Sequence, residues 1–177
     1  MLSFRKAAMT DFDQVMDIIH AAKEHMRAIG NTIQWEGGYP EPWFMAKEIK
    51  TGNCYVGEEN GKLLVCLSLV DGIDPTYTTL KGHWLDDAPY TALHRLAVAH
   101  SGHGYGRQAL EWAKTQRKNL RIDTHEVNDA MKHLLKGCGF HYCGIIQGDN
   151  GMQRIAYQYV ATKDSRPSEP GKETRTR

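Results

Sequence analysis

The residues best suited to chemistry lie in the stretch Leu93–Leu110, where an apolar run leads through three glycines into a segment with helical spacing. This order predicts a strand, a tight turn and the start of a helix. Gly102, Gly104 and Gly106 allow positive φ angles and leave room for a ligand beside the backbone. The amides of a first helical turn lack partners within the helix and favour an anion. We therefore expect residues 102–107 to hold a phosphate-bearing ligand.

Two familiar phosphate-binding glycine loops, the P-loop and the dinucleotide-binding loop, fit this turn poorly. A P-loop ends in Gly-Lys-Ser/Thr, whereas here Arg107 follows the last glycine, which excludes that chemistry. The spacing Gly104-x-Gly106-x-x-Ala109 does match the dinucleotide fingerprint, and Asp123 lies where a ribose-binding acid belongs. That fold needs several further strand–helix units downstream, but the chain has one more helix and then a hairpin. A dinucleotide-binding protein is therefore a distant third interpretation.

Two histidines are the candidate acid–base groups. His94 lies on the strand that leads into the turn, and imidazole titrates near neutral pH, which makes it the first candidate for a general base. A structural hydrogen bond within the sheet is the alternative role. Without a bulge, strand alternation would place His94, Leu96 and Val98 on one face. His125 is a second candidate, for the base or for contact with substrate, and helix capping would explain it equally.

A loop from Gln34 to Pro40 carries two aromatic residues among turn-forming ones. Loops held by a rigid scaffold often contact substrates. We expect Trp35 and Glu36 to be substrate-binding residues. The alternatives are a Trp35 buried as a lid over the core and a solvated Glu36 carboxylate.

The rest of the chain supplies the elements that would position these residues. Apolar residues at steps of three and four predict helices from Phe12 to Ile29 and around 131–138, and a short helix is expected at 41–50. Asn60-Gly61 and Asn150-Gly151 each lie between two strand-like runs and predict two hairpins. The segment 71–89 shows no pattern. This order indicates an α/β fold, a mixed sheet with helices on both faces.

Composition limits the classes of protein that remain. The 177 residues are 41% hydrophobic and 24% charged with a net charge of +1, which predicts one soluble domain and argues against nucleic-acid binding. We expect that domain to span residues 1–162, followed by a disordered polar tail at 163–177. The four cysteines form no Cys-x-x-Cys pair, so buried thiols are expected and no metal site. No apolar run is long enough for a membrane span and no leader is evident, so a cytoplasmic location is expected.

Two motifs carry a resemblance to a known family. Residues 93–107, followed by Asn128-x-x-Met131-x-x-x-Leu135-x-x-x-Gly139-Phe140, resemble the motifs of the GNAT superfamily of acyl-CoA-dependent N-acyltransferases. The resemblance covers about residues 2–160. It implies a mostly antiparallel sheet that parts between strands at 93–98 and 120–124. It also implies transfer of an acetyl group from acetyl-CoA to a primary amine of a small molecule or peptide, by direct attack on the thioester.

The resemblance assigns roles to particular residues. The amides of the glycine turn would hold the pyrophosphate, Leu96 and Val98 would offer backbone groups to the pantetheine arm, and a backbone N–H, that of Val98, would stabilise the oxyanion. Glu36 would help to position the amine. The implied cofactor-binding set is Leu96, Val98, Gly102, His103, Gly104, Tyr105, Gly106, Arg107 and Asn128.

Two departures from the family pattern leave a second function open. Ser101 replaces the usual Arg or Gln of the turn, with Arg107 as a compensating cation. Leu135 occupies the position where many members carry a tyrosine that protonates the departing thiolate. The alternative function is thus a non-catalytic CoA-binding regulatory or interaction module of the same fold. The assembly state is also open, with a homodimer among the options.

Overall fold

The computed structural model describes residues 1–162, so the expected polar tail at 163–177 lies outside the described residues. The helices are α1 (Phe12–Ala28), α2 (Pro42–Lys50), α3 (Tyr105–Gln116) and α4 (Asp129–Gly137). The strands are β1 (Ser3–Lys6), β2 (Cys54–Glu59), β3 (Lys62–Asp71), β4 (Lys81–Gly82), β5 (Thr91–Val98), β6 (Asn119–Thr124), β7 (His141–Gln147) and β8 (Gln153–Val160). None of the helices in this part of the chain is both long and apolar enough to cross a membrane.

The strands form one sheet in the order β1-β2-β3-β5-β6-β8-β7-β4. Within residues 1–162 every neighbouring pair is antiparallel except β5 and β6, which run parallel and are joined through α3. The expectation of a mixed, mostly antiparallel sheet is confirmed. Both predicted hairpins are present, and at the first of them Asn60 and Gly61 have φ angles of 52° and 74°, as a type I′ turn requires.

Helices cover both faces of this sheet, as predicted. On one face, α3 and α4 bury Leu110 and Leu135 against Leu93, Leu120 and other strand residues. On the opposite face, the apolar sides of α1 and α2 pack against β2, β3 and β5. The two hydrophobic clusters hold the sheet rigid from both sides, and they meet at β5, the strand before the glycine turn.

The parallel pair β5–β6 parts after two residues. Thr91 pairs with Leu120 and Ala92 with Arg121, and the pairing ends there. The remainder of β5 therefore has an open backbone edge on the side of β6. The predicted parting of the sheet between these strands is confirmed, and the opening lies directly before the glycine turn.

A β-bulge at Arg95 overturns the predicted alternation along β5. His94 pairs with Ser68 and Ala97 pairs with Cys66, so the single residue between those two β3 positions faces two residues of β5. Arg95 itself has a φ of 52°. The extra residue shifts the alternation of side chains by one position, so residues before and after the bulge do not follow the simple alternation. Leu96 and Val98 pack on the α3–α4 side, whereas the ring of His94 lies 6.0 Å from that of Tyr77.

The segment 71–89, in which the sequence shows no pattern, is partly regular. It contains a 3₁₀ turn at Pro75–Thr79 and the short strand β4. Asp74 caps the turn, because its side chain accepts a hydrogen bond from the backbone N–H of Thr76 at 2.9 Å. Tyr77 of this turn lies beside β5, with its ring 6.0 Å from that of His94.

Candidate active site

Two adjoining depressions occupy the opening of the sheet. The glycine-turn groove, about 630 Å³, runs from the face of α1 along the end of β5 to the start of α3. The His94 cavity, about 310 Å³, lies between β5, β6 and the loop after α1. Both are lined by Gln34, Trp35, Leu96 and Met131. A ligand that lies in the groove can therefore reach the cavity at these four residues.

The glycine turn forms an open cradle at the start of α3. Gly102 and Gly104 have φ angles of 80° and 74°, and a Cβ atom at either position would meet nothing within 4 Å. The first helical hydrogen bond joins Gln108 N–H to the Gly104 carbonyl at 3.1 Å. The preceding amides of α3 are thus not used within the helix and face an anion-sized space. A phosphate group suits this cradle.

Gly106 and Arg107 differ from Gly102 and Gly104, because both of them contact α4. Gly106 does not have a positive φ, and its Cβ would lie 3.0 Å from the side chain of Leu134, so glycine is needed for close contact between α3 and α4. The Arg107 guanidinium donates to the Gly137 carbonyl at 3.0 Å. Arg107 lines the groove, but its charge is directed to the C-terminal end of α4. Compensation for Ser101 by Arg107 therefore stays a prediction.

Three histidines lie near the glycine turn. His25 of α1 lines the groove together with His100, and the Ser101 hydroxyl lies 3.5 Å from His25 Nδ1. His103, predicted as a cofactor contact, does not line the groove; its exposed ring stacks on Tyr105 with the centroids 5.5 Å apart. No local pattern marks His25 as a site residue, because its neighbours Met26 and Ile29 belong to the apolar repeat that predicts α1.

Leu96, Val98 and Asn128, the predicted cofactor-binding residues outside the turn, all line the groove. The first two lie on the open edge of β5. Asn128 is buried, and its side chain is occupied by protein contacts: Oδ1 accepts from Met131 N–H at 3.1 Å and Nδ2 donates to Gln34 Oε1 at 2.8 Å. Asn128 thus caps α4 and fixes the loop that carries Trp35.

Trp35 and Glu36 are placed at the mouth of the His94 cavity. Trp35 has a φ of 57° and is half-buried; it lines both depressions and also packs against the α1–α2 core. Trp35 thus packs partly on the core, and its contact with substrate stays a prediction. Glu36 is exposed and lines the His94 cavity but not the groove. A second carboxylate, Asp149 in the β7–β8 turn, lines the same cavity.

His94 lines this cavity and is paired with a carboxylate. Its Nε2 lies 2.9 Å from Asp74 Oδ2, and the two side chains are 21% and 17% exposed. Burial by itself raises the pKa of Asp74, but hydrogen bonds from His94 and Thr76 outweigh burial and lower the pKa to about 2. Asp74 is therefore ionised at neutral pH, and the ring nitrogen that faces it acts as a donor.

His125 forms part of the cavity wall beyond β6. Burial, with a smaller contribution from the charge of Arg154, lowers its pKa below the ordinary value of 6.5. Nearby, Asp123 accepts hydrogen bonds from the Tyr77 hydroxyl at 2.9 Å and from Arg154 at 3.4 Å. The buried hydroxyl of Thr124, on the same wall, has no hydrogen-bond partner within the described residues. The wall beyond β6 is thus polar.

Leu135 itself contributes no acid to the site. Leu135 is fully buried in the α3–α4 core. The four residues shared by the groove and the cavity are an amide, an indole, a leucine and a methionine, none of which titrates near neutral pH.

The parted strands and the two adjoining depressions match the arrangement that the resemblance to acyl-CoA-dependent acyltransferases implies. No family sequence model and no curated protein sequence matches the chain significantly. Solved structures do match. A GNAT-family acetyltransferase from Streptococcus agalactiae is 32% identical, with a TM-score of 0.85 over 92% of this chain and 96% of that one. The chain belongs to the GNAT family of acetyltransferases.

More distant structures agree with the fold. A GNAT-family acetyltransferase from Listeria monocytogenes is 22% identical, with a TM-score of 0.67 over 90% of this chain and 94% of that one. A chain of the NatC complex bound to Gag peptide and CoA is 12% identical, with a TM-score of 0.61 over 91% of this chain and 99% of that one. These two similarities support the fold alone.

Proposed function

We propose that this protein transfers the acetyl group of acetyl-CoA to a primary amine of a small molecule or peptide. The observation that carries the proposal is the junction of two sites across the parted strands. An open phosphate cradle lies on one side and a cavity that contains His94 lies on the other.

The donor would lie along the glycine-turn groove. The amides at the start of α3 suit the pyrophosphate, and the unpaired edge of β5 at Leu96 and Val98 suits the amide-containing pantetheine arm. When bound, acetyl-CoA supplies an activated thioester carbonyl. A backbone N–H on this edge, such as that of Val98, is suited to stabilise the negative charge that develops on the carbonyl oxygen.

The acceptor would enter through the His94 cavity. Glu36 and Asp149 contribute carboxylates that attract a protonated amine, while Arg95 is neutralised by Glu48 and Arg154 lies beside Asp123. Apolar side chains, among them Leu93, Ile122 and Met131, line the remaining wall. This combination favours an amine on an apolar or aromatic arm over an anionic acceptor.

His94 is suited to take the proton that the amine must lose. The amine nitrogen bonds to the carbonyl carbon, the C–S bond breaks, and the amine proton passes to His94 directly or through one water. The departing thiolate takes its proton from solvent. A positioned general base typically contributes ~10²–10⁴-fold to the rate.

The test combines turnover with a matched pair of histidine variants. Purified protein is incubated with acetyl-CoA and a panel of amines, and both thiol release and the mass of the acetylated product are measured. His94→Gln should lower kcat/KM by at least ~10²-fold, whereas the exposed His20→Gln on α1 should not. CoA binding by calorimetry without product from any amine would support the regulatory module instead. Absence of CoA binding would refute both functions.

A further inference from the structure

Asp74 holds the candidate base through a carboxylate that is fixed at both oxygens. Oδ2 lies 2.9 Å from His94 Nε2. Oδ1 accepts from the Thr76 backbone N–H at 2.9 Å and from the Thr76 hydroxyl at 2.7 Å. The backbone N–H of Asp74 donates to the Tyr90 hydroxyl oxygen at 2.8 Å. The carboxylate cannot rotate away from His94 without breaking these contacts.

An ionised carboxylate only accepts hydrogen bonds, so the nitrogen that faces it must carry the hydrogen. In neutral His94 this places the hydrogen on Nε2 and leaves the lone pair of Nδ1 free. We propose that Asp74 is the positioning residue of this enzyme: it fixes the tautomer of His94 in which Nδ1 accepts the amine proton, and it balances the positive charge of the protonated ring.

The surroundings of His94 single out Asp74 for this role. The other titratable or charged groups that line the cavity are Glu36, Tyr39, Arg95, Asp123, His125, Asp149 and Arg154. Arg95 is held by Glu48, and Asp123 is held by Tyr77 and Arg154. Within residues 1–162, Asp74 is the carboxylate that lies within hydrogen-bond distance of the His94 ring. The tautomer of His94 therefore depends on this one contact.

The substitution Asp74→Asn tests the tautomer directly. The N–H of Thr76 needs an acceptor, so the amide oxygen of Asn stays towards Thr76 and the NH₂ group faces His94. A donor now meets Nε2, which must become the acceptor, and the hydrogen moves to Nδ1. The hydrogen-bond network is kept while the tautomer is reversed, and Nδ1 can no longer take a proton.

Two readouts follow, and the first is independent of turnover. Long-range proton–nitrogen NMR correlations of the His94 ring, assigned by their loss in His94→Gln, should show hydrogen on Nε2 in the wild type and on Nδ1 in Asp74→Asn. In the second, kcat/KM of Asp74→Asn should fall by ~10²–10⁴-fold, measured well below the melting temperature.

Asp71→Asn is the matched control. Asp71 also binds a residue of β5, through the Thr91 hydroxyl, but it lies outside the cavity and pairs with Arg117. It should affect stability while leaving the His94 tautomer and kcat/KM as in the wild type. The kinetic measurement rests on the proposed function, whereas the NMR measurement of the tautomer does not. Wild-type activity in His94→Gln would overturn the base assignment alone, whereas an unchanged tautomer in Asp74→Asn would overturn the role of Asp74.

Discussion

Arg95, the bulged residue of β5, forms a buried ion pair, and the contribution of this pair to stability can be measured. Arg95 adopts a φ of 52° in the middle of β5. Its guanidinium lies 2.7 Å from Glu48 on α2, donates to the Tyr39 hydroxyl at 3.1 Å, and lies 4.8 Å from the centre of the Phe44 ring. The side chains of Arg95 and Glu48 are only 8% and 9% exposed. Together these contacts hold Arg95 in a strained conformation.

Glu48→Gln removes the charge of the partner and keeps its size. Breaking a buried ion pair from one side costs about 3–5 kcal/mol, because the remaining charge is buried without compensation. The amide oxygen can still accept one hydrogen bond from Arg95, which favours the lower end, about 3 kcal/mol. In a domain of this length 1 kcal/mol corresponds to about 2–4 °C, so the melting temperature should fall by roughly 6–12 °C.

The melting temperatures of Glu48→Gln and of the control variant Glu58→Gln are compared by calorimetry. Glu58 pairs with Arg5 at 3.1 Å, but the two side chains are 32% and 42% exposed. Exposed pairs contribute about 0–1 kcal/mol, so this control should melt close to the wild type. If the two variants melted at the same temperature, the buried pair would contribute no more than the exposed one, and the reasoning from burial would be wrong.

Two further predictions concern residues of the core and the cavity wall. Leu135→Ala should lower the unfolding free energy by ~2–5 kcal/mol, because Leu135 is fully buried. Turnover per folded molecule should stay unchanged. Normal melting with lost turnover would contradict a purely packing role. His125 has a lowered pKa in the folded state, so as pH falls below 6.5 the unfolded chain takes up the proton first and folding stability decreases. His125→Gln should therefore lose less melting temperature than the wild type between about pH 7.5 and about pH 5.5, and equal losses would exclude His125 as a source of this pH dependence.

The sequence by itself determined most of the helices, both hairpins and the position of the glycine turn, but not the 3₁₀ turn and β4 within 71–89. Asn-Gly turns, the apolar repeat of α1 and the glycines before α3 each act over a few neighbouring residues, so their structural effect can be read without knowledge of the fold. The parting of β5 from β6 and the GNAT family were also predicted, from two motifs whose order and separation match the family.

Only the tertiary structure decided how the candidate active site is arranged. The bulge at Arg95 is defined by its partner strand β3, and it separates His94 from the face that simple alternation predicts. Asp74 meets His94 across 20 residues, and Asn128 meets Gln34 across 94. Gly106 and Arg107 lie in the predicted turn, yet α4 decides what each of them contacts. Such contacts join segments far apart in the chain and depend on the packing of both clusters against the sheet, so no local pattern of residues encodes them.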